Sequence, residues 1–457
     1  MGVTKAIARF ASELGWDAIP PEVVEISVEH LVDSWGVMLA GSQDRAAVIL
    51  RQVLGPGPGV SPVLGTGTEA SALTAAFSNG IAGHALDYDD TQLSTSADSV
   101  YGLLTHPSVP VTAAVGALAV EEGSDGRQLV TAYVAGVEVA CRVADSMNRR
   151  HYQDGFHSTG SVGTLGAAAG SARLLGLDPE RTATAIGIAA SLGAGLRENF
   201  GTMTKPLHAG RAAHNGVLAA RLAEAGFTAS EEILEAPRGF FQAAAGGYDP
   251  SKLVERLGRP FFLQSPGVSI KPYPSGSLSH PAQDLVLEIV EREDLAPGDI
   301  ESIEVGTNSN VLNALIHHRP TTGLQGKFSL EYCVATGVVR RRAGIAEFTD
   351  EAVQAAAIQE FIPRVQVVVD PELEELGFQH VRTRVGVALK DGRRFREQAD
   401  WARGYPQKPL TAAQLGAKFL DCAEQALSPE AARRALTCAR GVVSASSVAE
   451  TLSALQP

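Results

Sequence analysis

The stretch Gly163-Thr164-Leu165-Gly166-Ala167-Ala168-Ala169-Gly170 constrains the fold more than any other feature of this chain. It carries almost no side-chain bulk, so a helix built from it can meet its neighbours at very short range. The chain holds 47 glycines, many of them beside alanine in runs of this kind. Tight helix packing is therefore the expected core. Hydrophobic residues at 45% and charged residues at 19% give a globular composition, far from that of a disordered chain. At 457 residues the chain outgrows one ordinary core, which predicts two domains.

Periodicity sorts the chain into regions. Residues 1–265 read as successive helices. Leu31, Ser34, Trp35, Val37 and Met38 form a helical stripe after Pro20-Pro21. Further helices are predicted at 109–120, 127–147, 161–175, 179–195 and 210–226, with Asp178 as cap and Pro179 at the first position of the fourth. The texture changes near residue 266. The segments 301–306, 365–369 and 382–389 alternate polar and apolar as strands do, and Asp391-Gly392 is a hairpin turn signal. Helical stretches at 281–293 and 328–341 lie among them. Helix returns after Pro409, with Thr411 capping 412–427 and a further helix at 429–441. The predicted fold is mainly α. An all-helical domain comes from residues 1–265 and 405–457, and an α+β domain is inserted at 266–404.

A net charge of −13 argues against nucleic acid or an anionic membrane as partner. No apolar run of ~18 residues predicts a membrane span, and the first residues show no signal core. Cys141, Cys333, Cys422 and Cys438 form no CxxC pair and no zinc spacing, so they read as reduced, mostly buried thiols of a cytoplasmic protein. No GxGxxG opens a strand–helix unit, and neither a Walker A loop nor a GxSxG elbow is present. What remains is acid–base chemistry by side chains.

Five polar clusters stand out. The first is Asn79–Thr91, in which His84 and Asp87 are spaced to share a helix face and Asp87, Asp89 and Asp90 crowd together. It reads as a capped helix end, a substrate site, or a His/Asp site for a hard cation. Thr105-His106-Pro107-Ser108 marks a helix start. The loop from His151 to Gly160 precedes the small-residue helix, where free N–H groups favour anions. Residues 197–211 gather Arg197, Lys205, His208 and Arg211 in an acidic protein, and His208 and Arg211 would share a face of a helix starting at Leu207. The fifth, Ser269–Pro281, lies at the predicted domain junction, a preferred place for sites. A solvated basic face and a rigid linker are the plain alternatives for the last two.

In this order the clusters resemble the MmgE/PrpD family, which includes 2-methylcitrate dehydratase, cis-aconitate decarboxylase and iminodisuccinate epimerase. The pieces that carry the likeness are His84-Ala85-Leu86-Asp87-Tyr88-Asp89-Asp90-Thr91, Thr105-His106-Pro107, Phe156-His157, Thr204-Lys205-Pro206-Leu207-His208, Lys271-Pro272-Tyr273-Pro274 and Lys327-Phe328-Ser329. The resemblance implies a large helical domain, a smaller α+β lid, a homodimer, and neither cofactor nor metal. It implies a pocket including Asp87, Thr91, His106, His157, Lys205 and Lys271. The decarboxylase branch carries a His five residues after the second lysine. Here that position is Gly276, and a His arrives only at His280.

The implied chemistry is removal of a proton α to a carboxylate of a small polycarboxylic acid. His157 or His106 would be the base, with Lys205, Lys271 and Arg197 stabilising the charge that develops. Asp87 would orient a His or bind a substrate hydroxyl. Thr91, Arg197, His208, Tyr273 and His280 are the expected substrate-binding residues. Dehydration of the 2-methylcitrate type leads, followed by epimerisation and then decarboxylation. A catalytically silent carboxylate-binding or scaffold protein is the alternative of another class.

Overall fold

A computed structural model describes residues 2–55, 57–93, 103–377 and 380–457. They form two compact units, one of the described residues up to Val268 together with Ala412–Pro457, the other Ser269–Thr411. The molecule is mainly helical with small sheets.

The first unit begins with α1 (Val3–Glu13), α2 (Pro21–Gly41), α3 (Arg45–Leu54) and a hairpin of β1 (Ser61–Val63) and β2 (Thr68–Ala70). There follow α4 (Ala72–Ala85), α5 (Ser108–Glu121), α6 (Gly126–Ser146), the short α7 (Arg150–Gln153), α8 (Ser158–Leu174), α9 (Pro179–Leu192) and α10 (Thr204–Glu224). Local chemistry sets their starts. Ser71 accepts a hydrogen bond from the Thr74 amide at the head of α4. Asp125 and Gln128 close a capping box on α6, and Asp178 caps α9 ahead of Pro179. The helix expected at 210–226 begins at Thr204 instead. Pro206 sits in its first turn, where the missing amide hydrogen costs nothing. That earlier start puts Lys205 and His208 on the helix itself.

Small residues let these helices touch backbone to backbone. A Cβ on Gly80 of α4 would lie 2.7 Å from Gly210 Cα of α10, and one on Gly166 of α8 would lie 2.8 Å from the Gly136 carbonyl oxygen of α6. Real Cβ atoms do not come that close, so only glycine fits. The helices α5, α6 and α8 are almost wholly buried at this centre.

The second unit holds a four-stranded sheet in the order β4–β3–β5–β6. β3 (Ile300–Thr307) pairs parallel with β4 (Val365–Val369) and antiparallel with β5 (Thr383–Leu389). β5 pairs antiparallel with β6 (Arg394–Ala399) across the turn holding Gly392, whose φ is 91°. Helices His280–Arg292 and Leu330–Arg340 accompany the sheet, the latter capped by Ser329. Cys141, Cys333 and Cys422 are buried free thiols and Cys438 is an exposed one. Among the described residues no helix is long and apolar enough to cross a membrane.

The C-terminal segment supports the turn that follows α4. From helix Ala412–Ala423, Lys418 Nζ lies 2.5 Å from Asp33 Oδ1 of α2 and donates to the Tyr88 carbonyl at 2.8 Å. Burial raises the Asp33 carboxyl to about 6 against the pull of Lys418. Truncating one partner of such a buried pair strands the other charge. Lys418→Met should therefore destabilise the protein by about 3–5 kcal/mol in denaturant unfolding. A loss within the scatter of a surface substitution would contradict this role.

Candidate active site

The site grows from the end of α4. The helix stops at Ala85, and Asp87 takes a left-handed backbone with φ 52°. His84 and Asp87 therefore do not share a helix face as their spacing suggested. The reversal instead brings Asp89 onto His84, whose Nδ1 lies 2.9 Å from both carboxylate oxygens. The acids of this segment are not solvated. Asp87, Asp89 and Asp90 are all buried. Asp90 is committed to the scaffold, 2.7 Å from His30 Nδ1 and hydrogen-bonded to Ser108, which in turn meets Tyr133.

Four further side chains converge on this turn. His106 is held at the start of α5 by its amide, which donates to Thr159 Oγ1 of α8 at 3.0 Å. Its Nδ1 is 3.3 Å from Asp89 and 3.4 Å from Thr91 Oγ1, and its Nε2 is 3.9 Å from Asp87. Lys205, in the first turn of α10, donates to Asp87 Oδ1 at 2.5 Å. His157 is the N-cap residue of α8, its amide bonded to the Gly195 carbonyl. Its ring stacks on His84 at 5.6 Å and meets the edge of Phe200 at 5.0 Å. His208, one turn along α10 from Lys205, places Nδ1 3.0 Å from His157 Nδ1. The first unit thus brings together Asp87, Thr91, His106, His157, Lys205 and His208 of the expected residues.

Burial governs the protonation of this cluster. It pushes His84 down to about 4, against the attraction of Asp89 and with help from the charge of Lys205. It also pushes His157 well below the usual imidazole range, and His208 down to about 4, with Lys205 adding to both. Burial works to raise Asp89, but His84 and His106 outweigh it and hold that carboxyl well below its usual range. A neutral His84 thus donates Nδ1–H to an ionised Asp89, which leaves Nε2 as a bare acceptor. His84 Nε2 and His157 Nε2 are both buried with no protein partner.

His84, Asp87, Asp89 and His106 offer donor atoms all within 4.8 Å of one another, a spacing that suits a metal ion. The cation seated on Asp87 is the Lys205 ammonium. The donor set therefore reads as a self-compensated acid–base cluster, in which a metal would have to compete with a fixed lysine.

The remaining expected residues make the following contacts. Arg197 stacks its guanidinium 3.7 Å from the Tyr152 ring centre and donates to the Tyr152 carbonyl at 2.8 Å. That commitment makes it a brace for the loop before α8. Arg211 does not share the buried face of His208; it is exposed and lies over the Phe77 ring. In the second unit Lys271 and His280 are buried. Tyr273 donates to Asp284 at 2.5 Å and receives Arg403, so its hydroxyl anchors the loop. Lys327 ties down the same loop through the Pro274 carbonyl at 2.9 Å, and His280 Nε2 lies 3.2 Å from the Ser275 carbonyl.

His84 and Asp89 stand out in the sequence only as members of the Asn79–Thr91 cluster, with no catalytic role of their own. The signal was a histidine followed by an acid five residues on, across a helix end. Asp284, Arg403 and Lys418 carried no sequence signal, because their partners are distant in the chain.

The shifts have a direct consequence. In folded protein at about pH 6 the His84 and His208 imidazoles should still be neutral, where an ordinary histidine is largely protonated. Between 6.5 and about 4 the unfolded chain binds these protons and the folded chain does not, so each histidine's contribution to stability is lost as pH falls through that window. Histidine-selective NMR titration checks this, and midpoints near 6.5 for both rings would contradict it.

Residues 5–253 match the MmgE/PrpD N-terminal domain, and residues 273–442 match the MmgE/PrpD C-terminal domain. Cis-aconitate decarboxylase of Homo sapiens is 29% identical over 368 residues, covering 78% of this chain and 73% of that protein. The Mus musculus protein of the same name is 29% identical over 76% of this chain and 70% of its own length. Cis-aconitate decarboxylase of Aspergillus terreus is 25% identical over 87% of this chain and 85% of its own length. With both domains matched in order, the chain belongs to the MmgE/PrpD family.

Proposed function

We propose that this protein is a lyase acting on a small di- or tricarboxylic acid, removing a proton α to a carboxylate without a cofactor and expelling a β-hydroxyl as water, in the manner of 2-methylcitrate dehydratase. The observation that carries the reading is the buried cluster itself. A lysine ammonium sits on Asp87 beside histidines whose Nε2 atoms are buried and unpartnered.

A proton next to a carboxylate is very weakly acidic, because its removal places a second negative charge on that carboxylate. Fixed cations in a dry site lower that barrier. Lys205 is such a cation, and Lys271 of the second unit is a further candidate. A neutral imidazole is the required form of the base, and burial keeps His157 neutral. An anionic substrate adds negative charge beside the ring and so raises its proton affinity when it is needed. In this reading His106 protonates the departing hydroxyl, and Asp87, 3.9 Å from it and paired with Lys205, orients that hydroxyl.

Decarboxylation is the second reading, favoured by the names of the relatives. It needs a donor to protonate the carbanion left by CO2. At Gly276, the position implied for that donor, a Cβ would lie 2.9 Å from Leu315 Cδ2, and the backbone N–H is spent on the Lys327 carbonyl. This supports dehydration over decarboxylation. Epimerisation shares the first step and differs only in the face that is reprotonated. A homodimer in the cytoplasm completes the proposal.

Purified protein should be offered 2-methylcitrate, citrate, cis-aconitate and iminodisuccinate separately, with products followed by NMR. Loss of water from a hydroxy acid is expected, and CO2 release from cis-aconitate alone would replace this reading with the second. Lys205→Ala should lower kcat about 10²–10³-fold and raise KM, since the charge acts in both bound states. Unchanged kcat/KM would remove Lys205 from the mechanism.

A further inference from the structure

The contact between His157 and His208 joins Nδ1 to Nδ1 at 3.0 Å. Two neutral imidazoles can meet this way only if a single proton lies between them, since two N–H groups repel and two lone pairs gain nothing. The pair is therefore a unit with one bridging proton and two outer nitrogens. One outer nitrogen, His157 Nε2, is buried without a protein partner. The other belongs to His208, which is 8% exposed against 1% for His157. Glycine makes room for His208 on two sides. A Cβ on Gly195 would lie 2.9 Å from His208 Cγ, and one on Gly160 would lie 3.1 Å from His208 Cβ.

We infer that His208 is a proton-relay residue, which carries the proton taken up by His157 out of the buried cluster and returns it. This rests on the reading of His157 as the base. The Cα–H bond of the substrate breaks, its electron pair stays on the substrate as the enolate, and the proton joins His157 Nε2. The bridging proton moves from His157 Nδ1 to His208 Nδ1, and His208 Nε2–H passes its proton to water. The return trip runs in reverse and brings a proton back to His157 Nε2; in dehydration one proton leaves the substrate carbon and one joins the hydroxyl that departs beside His106, so no net proton is consumed. The physical reason for a relay lies in the surroundings. His157 faces His84 from α4, His106 ahead of α5, and Lys205 and His208 from α10. An imidazolium trapped at His157 would sit against the Lys205 charge, whereas the relay leaves His157 neutral.

His208→Gln is the informative variant, because an amide can keep the hydrogen bond to His157 but cannot pass a proton through. In D2O the wild type should exchange substrate α-hydrogen with solvent several times per dehydration. His208→Gln should cut the exchange-to-turnover ratio and kcat, each by about tenfold or more, with KM within about twofold. His208→Gly should regain kcat when imidazole is added. A wild-type ratio and kcat in His208→Gln would overturn the relay, as would a failure of imidazole to rescue His208→Gly. Histidine 15N NMR of the wild type tests the dyad without turnover. One protonated and one bare Nδ1 are expected, and two protonated Nδ1 atoms would overturn it whatever the variants do. Failure of the proposed function shows separately, as no exchange or turnover of any of the four acids by the wild type.

Discussion

The approach of α10 to α4 and α8 through glycine is the constraint on which the rest depends. Where Gly210 meets Gly80, two backbones touch with no side chain between them. A helix pair ordinarily stands 8–10 Å apart, and bulk at these points would push α10 outward. His84 ends one of these helices, His157 heads another, and Lys205 and His208 ride on the third. The close contacts of this cluster, His157 to His208 at 3.0 Å and His84 stacked on His157 at 5.6 Å, follow from that packing.

That packing carries an electrostatic burden. The protein is acidic overall, yet its centre collects three carboxylates, five histidines and a lysine that are all buried. Such a group is tolerable only if each charge has a partner. Asp87 has Lys205, Asp89 has His84 and His106, and Asp90 has His30 and Ser108. Lys418 does the same for Asp33 and holds the Tyr88 carbonyl in the turn. Neutral imidazoles complete the arrangement, because a buried ring beside an ammonium gains nothing from a second positive charge.

Much of this could be read in the chain before any coordinates. Helices whose starts carry Asp125 or Asp178, and the strand Val365–Val369, lie where their residues place them. Local chemistry decides those elements. The β1–β2 hairpin was missed because three-residue strands have no periodicity to show. The turn after α4 was misjudged for a different reason. His84 and Asp87 have helical spacing, but the helix ends between them, and a left-handed aspartate cannot be told from its letter. His106, His157 and Lys205 were legible as titratable groups in unusual company. The roles of Asp284, Arg403 and Lys418 were not, since each depends on a partner more than a hundred residues away or across the fold. Arg197, close in sequence to the site, stacks on Tyr152 and donates to its carbonyl, contacts that its letter does not announce.

The account reduces to one claim, that the cluster around His157 and Lys205 removes a proton from carbon beside a carboxylate. Mass spectrometry of the recovered acid after incubation with chelator-treated protein in D2O measures this step directly, whichever product follows. Deuterium at the α-carbon with wild-type protein, and its loss in His157→Gln, is the result the account requires. Exchange at the wild-type rate in His157→Gln, or product formed with the α-hydrogen untouched, would contradict it.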